Sequence, residues 1–272
     1  MKLPVTAPEV TTTRGETVVH PTAIVHAEAE LGRGVTVGPW ALIGPGVRVG
    51  DGTEVGPRVL IERDTTIGED CRLANGAVLG TDPQDLKYRG ERSTLEVGDR
   101  TVVREFATLN RGTAASGRTV VGSDCLLMAY VHVAHDCVLG NHVILANAVN
   151  MAGHVTIEDW AIVGGLTPIH QFVRIGAHAF VGGGSRVPQD VPPYCRAAGN
   201  PPQLYGLNSV GLDRRGVSSE TRRALKQAYR LLFQSEENLS AALDRVEQEV
   251  VGSPEVKHLV QFIRSSERGV TT

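Results

Sequence analysis

Aromatic side chains are scarce in this sequence. Two Trp, five Tyr and five Phe make up only 4% of 272 residues. That is too few for an ordinary helix-rich core, which uses aromatics as filler. No apolar run approaches the ~20 residues that a membrane-spanning helix needs. The opening MKLPVTAPEVTTTRGE has no apolar stretch, so it does not read as a secretory signal. Residues 1–18 are expected to form a loose polar leader. The four cysteines lack CxxC spacing, which indicates neither a zinc site nor a disulfide framework and fits a reducing cytoplasm. A large charge of one sign is missing too. The formal charge is −3, which gives no sign of a general nucleic-acid binder.

Glycine, by contrast, is abundant, with 31 residues, and a period of six explains it. Aliphatic residues recur every sixth position from Val19 to Leu79, at Val97, Val103 and Leu109, and from Val121 to Val187, with Met151 the single unbranched member. The second position of each hexad is often Gly, as at Gly32, Gly38, Gly50, Gly140 and Gly176. The fifth is small or β-branched, as at Val35, Ala41, Thr53 and Ala161. Six is three strand periods, so every sixth side chain points the same way on extended chain. Three hexads close one turn of a triangular prism, with the first and fifth positions inside. Glycine at the second position is expected to supply backbone freedom. This is the hexapeptide β-helix pattern. Cys71, Cys125 and Cys137 fall at fifth positions and read as small core residues. Two polar stretches, 81–94 and 112–119, interrupt the prism as loops. After Val187 the pattern gives way to Pro-rich chain. From about Ser218 the apolar residues fall at helical spacing, with Ser253-Pro254 a helix start. The expected organisation is a β-helix over 19–192 and a helical C-terminal domain over 193–272.

Eight of the nine histidines lie in the repeat. His20, His26, His142 and His178 are expected to be solvated turn residues. Residues 18 apart stack at about 4.8 Å, the strand spacing. His135 therefore lies under Gly153 and Gly153 under Gln171, with Asp136 under His154 and His170 in the same column. Three histidines could suit zinc, but the Asp, Gly and Gln among them suit acid–base chemistry, and no metal is expected. Acyl transfer needs a base for the attacking hydroxyl and a donor for the oxyanion. His135 and Asp136 can supply base and orienting carboxylate, and the Gly153 N–H the donor.

The segments His132-Val-Ala-His135-Asp136-Cys137, Ala152-Gly153-His154 and Ile169-His170-Gln171-Phe172 resemble the UDP-N-acetylglucosamine acyltransferases. So do Gln84-Asp85-Leu86-Lys87-Tyr88, Leu109-Asn110-Arg111-Gly112-Thr113, Asp190-Val191-Pro192-Pro193-Tyr194 and Leu212-Asp213-Arg214-Arg215-Gly216. The resemblance runs from about His20 to the C-terminus. It implies a mainly β fold, a left-handed parallel β-helix with a C-terminal α-helical domain, assembled as a homotrimer with sites between neighbouring prisms. It implies transfer of a 3-hydroxyacyl group from acyl carrier protein to the 3-hydroxyl of UDP-N-acetylglucosamine, the first step of lipid A synthesis, without a cofactor. His135 then matches the general base, Asp136 its orienting partner and Gly153 the oxyanion donor. Asp85, Lys87, His132, His154, His170 and Gln171 match substrate-contacting positions. Asn208, Arg214 and Arg215 match the diphosphate end, where an arginine fork suits phosphate oxygens. Gly183 matches the position that sets acyl length, and glycine there implies a longer chain. Pro201 and Val210 depart from the histidine and the acidic residue that some members carry. N-acylation of a 3-amino analogue remains open beside O-acylation, and a non-enzymatic β-helix scaffold is the contrasting class. The later N-acyltransferase of the same pathway has an N-terminal uridine-binding domain, for which the leader leaves no room.

Overall fold

The computed structural model describes residues 15–272. From Val18 to Val181 the chain forms two- to four-residue strands joined by tight corners. They stack into three parallel faces, of 9, 8 and 8 strands. The fold is a left-handed parallel β-helix. First and fifth hexad positions point inward, and every first-position residue from Val37 to Val187 is buried. Cys71, Cys125 and Cys137 are buried at fifth positions as expected. The first coil is open to solvent, so Val19 stays exposed.

The role of the second-position glycines differs from the expectation. Their φ angles are ordinary. A Cβ on Gly38, Gly50 or Gly56 would instead lie 2.6–2.9 Å from backbone of the next coil, so close approach between coils excludes a side chain. The left-handed conformation falls at the fourth position, and mostly on residues other than glycine. Asp136, His154 and Phe172 have φ of 59°, 62° and 64°. Asp and His tolerate that region better than most residues.

The register decides where the chemistry collects. His132 pairs with Asn150 and Asn150 with Pro168, an offset of 18. Across the first loop the offset is 30, with Arg72 opposite Val102, and across the second it is 24, with Thr108 opposite His132. Both loops replace the same corner, between the second face (Val78–Thr81, Thr108–Asn110) and the third (Thr94–Val97, Arg118–Val121). His135-Asp136, Gly153-His154 and His170-Gln171 occupy that corner in the next three coils.

Beyond the prism the structure departs from a purely helical tail. Cys195–Gly199 and Pro202–Leu207 form an antiparallel hairpin that extends the first face. Four helices follow: α1 (Ser209–Arg214), α2 (Ser219–Phe233), α3 (Leu239–Glu249) and α4 (Pro254–Arg264). Ser218, Asn238 and Ser253 cap α2, α3 and α4 by accepting from backbone amides three residues on. Their apolar faces pack Leu225, Leu243, Val246, Leu259 and Phe262 into a second core with Tyr194.

Candidate active site

His135 Nδ1 lies 2.7 Å from Asp136 Oδ2. The bond occupies one ring nitrogen and leaves Nε2 for a substrate. Burial alone would raise the Asp136 carboxyl, but donors from Ser116, His135 and Thr113 outweigh it and hold the group at about 2. It is therefore a carboxylate at any working pH. His154 Nε2 is 3.7 Å from the same Oδ2. Its ring stacks on Phe172 with centroids 4.5 Å apart.

Gly153, one coil on, lies against the His135 ring. A Cβ there would meet His135 Cε1 at 2.5 Å and Nε2 at 2.7 Å, so any side chain would push the imidazole aside. Among the described residues, no protein group accepts from the Gly153 N–H. Both groups line a cleft of about 560 Å³ with His132, Gln171, Asn150 and Gln84. His132 is half-buried, and its Nδ1 is 2.7 Å from Thr108 Oγ1. Burial, with His135 nearby, pushes its pKa down and favours the neutral ring.

The other candidates are distributed. Gln84 from the first loop reaches the cleft. Asp85 does not line it and instead accepts from the Lys87 amide at 2.9 Å. Lys87 and His170 are exposed. Gly183 is exposed at a different corner, between the first and second faces. Asn208 is buried, caps α1 by accepting from Gly211 N and donates to the His178 carbonyl at 3.0 Å. Arg215 donates to the Trp160 carbonyl at 2.7 Å and contacts His178 Nδ1 at 3.2 Å. Arg214 lies beside Asn208 in a separate groove on the first face.

His142 and His178 are not solvated turn residues. His142, Trp160 and His178, at fourth positions 18 residues apart, form a ring ladder that continues through Tyr194, 16 residues on, and ends on His258 of α4, with centroids 3.8–6.1 Å apart. A repeat puts like positions in register, and flat rings fill the corner spacing.

Residue spacing missed Thr113, Ser116, Thr108 and Gln84. Thr113 and Ser116 both bond the Asp136 carboxylate from the second loop. The loops break the 18-residue arithmetic, so only the Leu109–Thr113 motif hinted at them. His135, Asp136 and His154 place three metal-type ligand atoms within 4.8 Å of one another. Both Asp136 oxygens, however, already accept from N–H and O–H donors, the environment of an anion satisfied by protons.

Known proteins resemble this chain along most of its length. Residues 190–271 match the model of domain 2 of UDP-N-acetylglucosamine O-acyltransferase, and 46–81 and 118–150 match the bacterial transferase hexapeptide repeat. A Myxococcus xanthus protein named acyl-[acyl-carrier-protein]–UDP-N-acetylglucosamine O-acyltransferase is 54% identical over 254 residues, covering 93% of this chain and 98% of that one. The same-named protein of Anaeromyxobacter dehalogenans is 47% identical over 93% of this chain and 99% of that one. The UDP-N-acetylglucosamine acyltransferase structure from Bacteroides fragilis superposes with a TM-score of 0.92 at 44% identity, covering 93% of this chain and 99% of that one. The Acinetobacter baumannii enzyme gives 0.90 at 40%, covering 94% and 100%. On sequence and fold together, the chain belongs to the UDP-N-acetylglucosamine O-acyltransferase family.

Proposed function

We propose that this chain transfers a 3-hydroxyacyl group from acyl carrier protein to the 3-hydroxyl of UDP-N-acetylglucosamine, the first step of lipid A synthesis, in the cytoplasm. The observation that carries the reading is the cleft itself. A histidine fixed at 2.7 Å by a buried carboxylate shares it with an N–H that has no protein acceptor among the described residues.

His135 Nε2 takes the hydroxyl proton as the sugar oxygen attacks the thioester carbonyl. Negative charge develops on the carbonyl oxygen, where the Gly153 N–H donates to it. Collapse forms the ester and breaks the C–S bond, and the imidazolium returns its proton to the leaving thiolate. Asp136 stays ionised throughout and stabilises the imidazolium. The atoms balance without metal or cofactor. His132, His154, His170, Gln171, Asp85 and Lys87 contact substrate in this scheme. Asn208, Arg214 and Arg215 serve the diphosphate end, and Gly183 the end of the acyl groove.

That scheme calls for a homotrimer. Within one chain the dyad cleft lies on the second face, whereas the groove holding Asn208 and Arg214 lies on the first. Neighbouring prisms packed side by side would bring one chain's cleft against another chain's groove.

Mass spectrometry of the products from UDP-N-acetylglucosamine and a ladder of 3-hydroxyacyl carrier-protein thioesters tests the reading. An O-acylated sugar nucleotide with one preferred chain length is expected. Transfer only to a 3-amino analogue, giving an amide, would overturn O-acylation. His135→Ala should lower kcat about a thousandfold, within the range typical of a general base, with the oligomer intact. A near-normal rate would sink the mechanism.

A further inference from the structure

The second loop does more than bridge two faces. Residues 111–117 wrap over the corner beneath the dyad and turn four donors onto one carboxylate. The Thr113 amide donates to Asp136 Oδ1 at 3.0 Å and the Thr113 hydroxyl to Oδ2 at 2.7 Å. The Ser116 amide donates to Oδ1 at 3.2 Å. The Ser116 hydroxyl, whose proton also reaches the Arg118 carbonyl, contacts Oδ1 as well. The Asp136 side chain is 0% exposed, so no bulk water replaces these partners. Its backbone is fixed too, by its left-handed φ and by the hydrogen bond its N–H donates to Thr119 Oγ1 at 2.9 Å.

The carboxylate faces two histidines. His135 Nδ1 is 2.7 Å from Oδ2, and His154 Nε2 is 3.7 Å from the same oxygen. A modest rotation of the carboxylate would exchange one partner for the other. Thr113 on Oδ2 and Ser116 on Oδ1 pin it at both ends against that rotation.

We propose that Thr113 and Ser116 are positioning residues of the acyl transfer, acting through Asp136 to aim it at His135 rather than His154. The proposal rests on the assignment of His135 as the base. Both side chains also support the loop locally, since Thr113 Oγ1 accepts from Ala115 N at 3.2 Å and Arg118 N approaches Ser116 Oγ. The test therefore has to separate positioning from folding.

Steady-state kinetics on the full chain do so, comparing Thr113→Val, Thr113→Ser and Ser116→Ala, each alone and combined with Asp136→Asn. One lost bond to a charged group corresponds to about a tenfold change in rate. Thr113→Val and Ser116→Ala should each lower kcat by about that factor, with KM for both substrates within about twofold. Thr113→Ser, which restores the hydroxyl, should recover the rate. In the Asp136→Asn background Ser116→Ala should cost nothing further, because residues acting through one group are not additive. Losses that multiply in that background, or a raised KM at constant kcat, would overturn the proposal. If Thr113→Val fails to fold, Ser116→Ala and its cycle with Asp136→Asn still decide. His135→Ala run in parallel keeps the two readings apart: a near-normal rate there defeats the base assignment, whereas normal kcat in Ser116→Ala defeats only the positioning role.

Discussion

His178 occupies the same hexad position as Asp136 and His154 but meets different neighbours. Trp160 and Tyr194 flank its ring, and Arg215 approaches Nδ1. Burial, then the Arg215 charge, push its pKa down to about 4, against smaller opposing effects of Asp159 and Glu255, while His258 adds to the depression. Between pH 6.5 and 4 the unfolded chain holds a proton there that the folded chain does not, so this residue makes stability rise with pH across that window. Thermal melts from pH 4 to 6.5 should show that slope, and His178→Phe, which keeps the stack, should flatten it. An unchanged slope would remove His178 as the cause. The ladder was partly legible, since 142, 160 and 178 are 18 apart. Tyr194 and His258 were not, because they follow the end of the repeat. The His135–Gly153–Gln171 column was legible for the same arithmetical reason, and the carboxylate's partners in the second loop were hidden for want of it.

Among the elements, coil and loop obey different constraints. Coil spacing leaves no room at second positions, where a Cβ on Gly50 would lie 2.6 Å from the Gly68 carbonyl carbon. Overpacking of this kind typically costs about 1–3 kcal/mol, so Gly50→Ala should lower the denaturant midpoint by a corresponding amount, with the circular dichroism spectrum retained. A midpoint equal to wild type would mean the coils can part freely. The repeat made the strands readable down to the inward positions, but glycine's reason for being there depended on the distance between coils, which no spacing reveals. The loops are held by buried polar contacts instead. The Arg111 guanidinium reaches the Gly80 carbonyl, Asp82 and the Tyr88 hydroxyl, and Asn110 Nδ2 bonds Thr81 Oγ1 at 2.8 Å. These partners lie 23–31 residues apart in sequence, off any period. The sequence motif was visible there, but its job was not.

At the scale of the whole molecule, four exposed apolar side chains share the corner between the first and second faces, interrupted by Arg58, Gly76 and Ala148. Trp40, Phe106, Tyr130 and Leu166 are 60%, 47%, 63% and 72% exposed there. Scattered exposed apolar residues are ordinary, but several along one corner give an interface something to cover. The proposed trimer would cover them. Sedimentation of Phe106→Asp/Tyr130→Asp should show a smaller species with its β-sheet spectrum kept and transfer activity largely lost. A fully active monomer would refute the shared site. Among the described residues no helix is long and apolar enough to cross a membrane.

From Val18 to Val181 the offsets between facing strands are 18, 24 and 30. Each loop therefore adds a whole number of hexads, six residues in one case and twelve in the other. The prism behaves like text with a reading frame of six. A loop of that unit returns the chain to its face with the six-residue count of the later coils intact, whereas the last step of the prism, 16 residues from Val181 to Ala197, leaves that count and gives way to the hairpin while Ala197 stays buried. Such a scaffold can gain or exchange a loop at a corner without rewriting the coils above it, which leaves the chemistry of the corner free to vary while the architecture stays fixed.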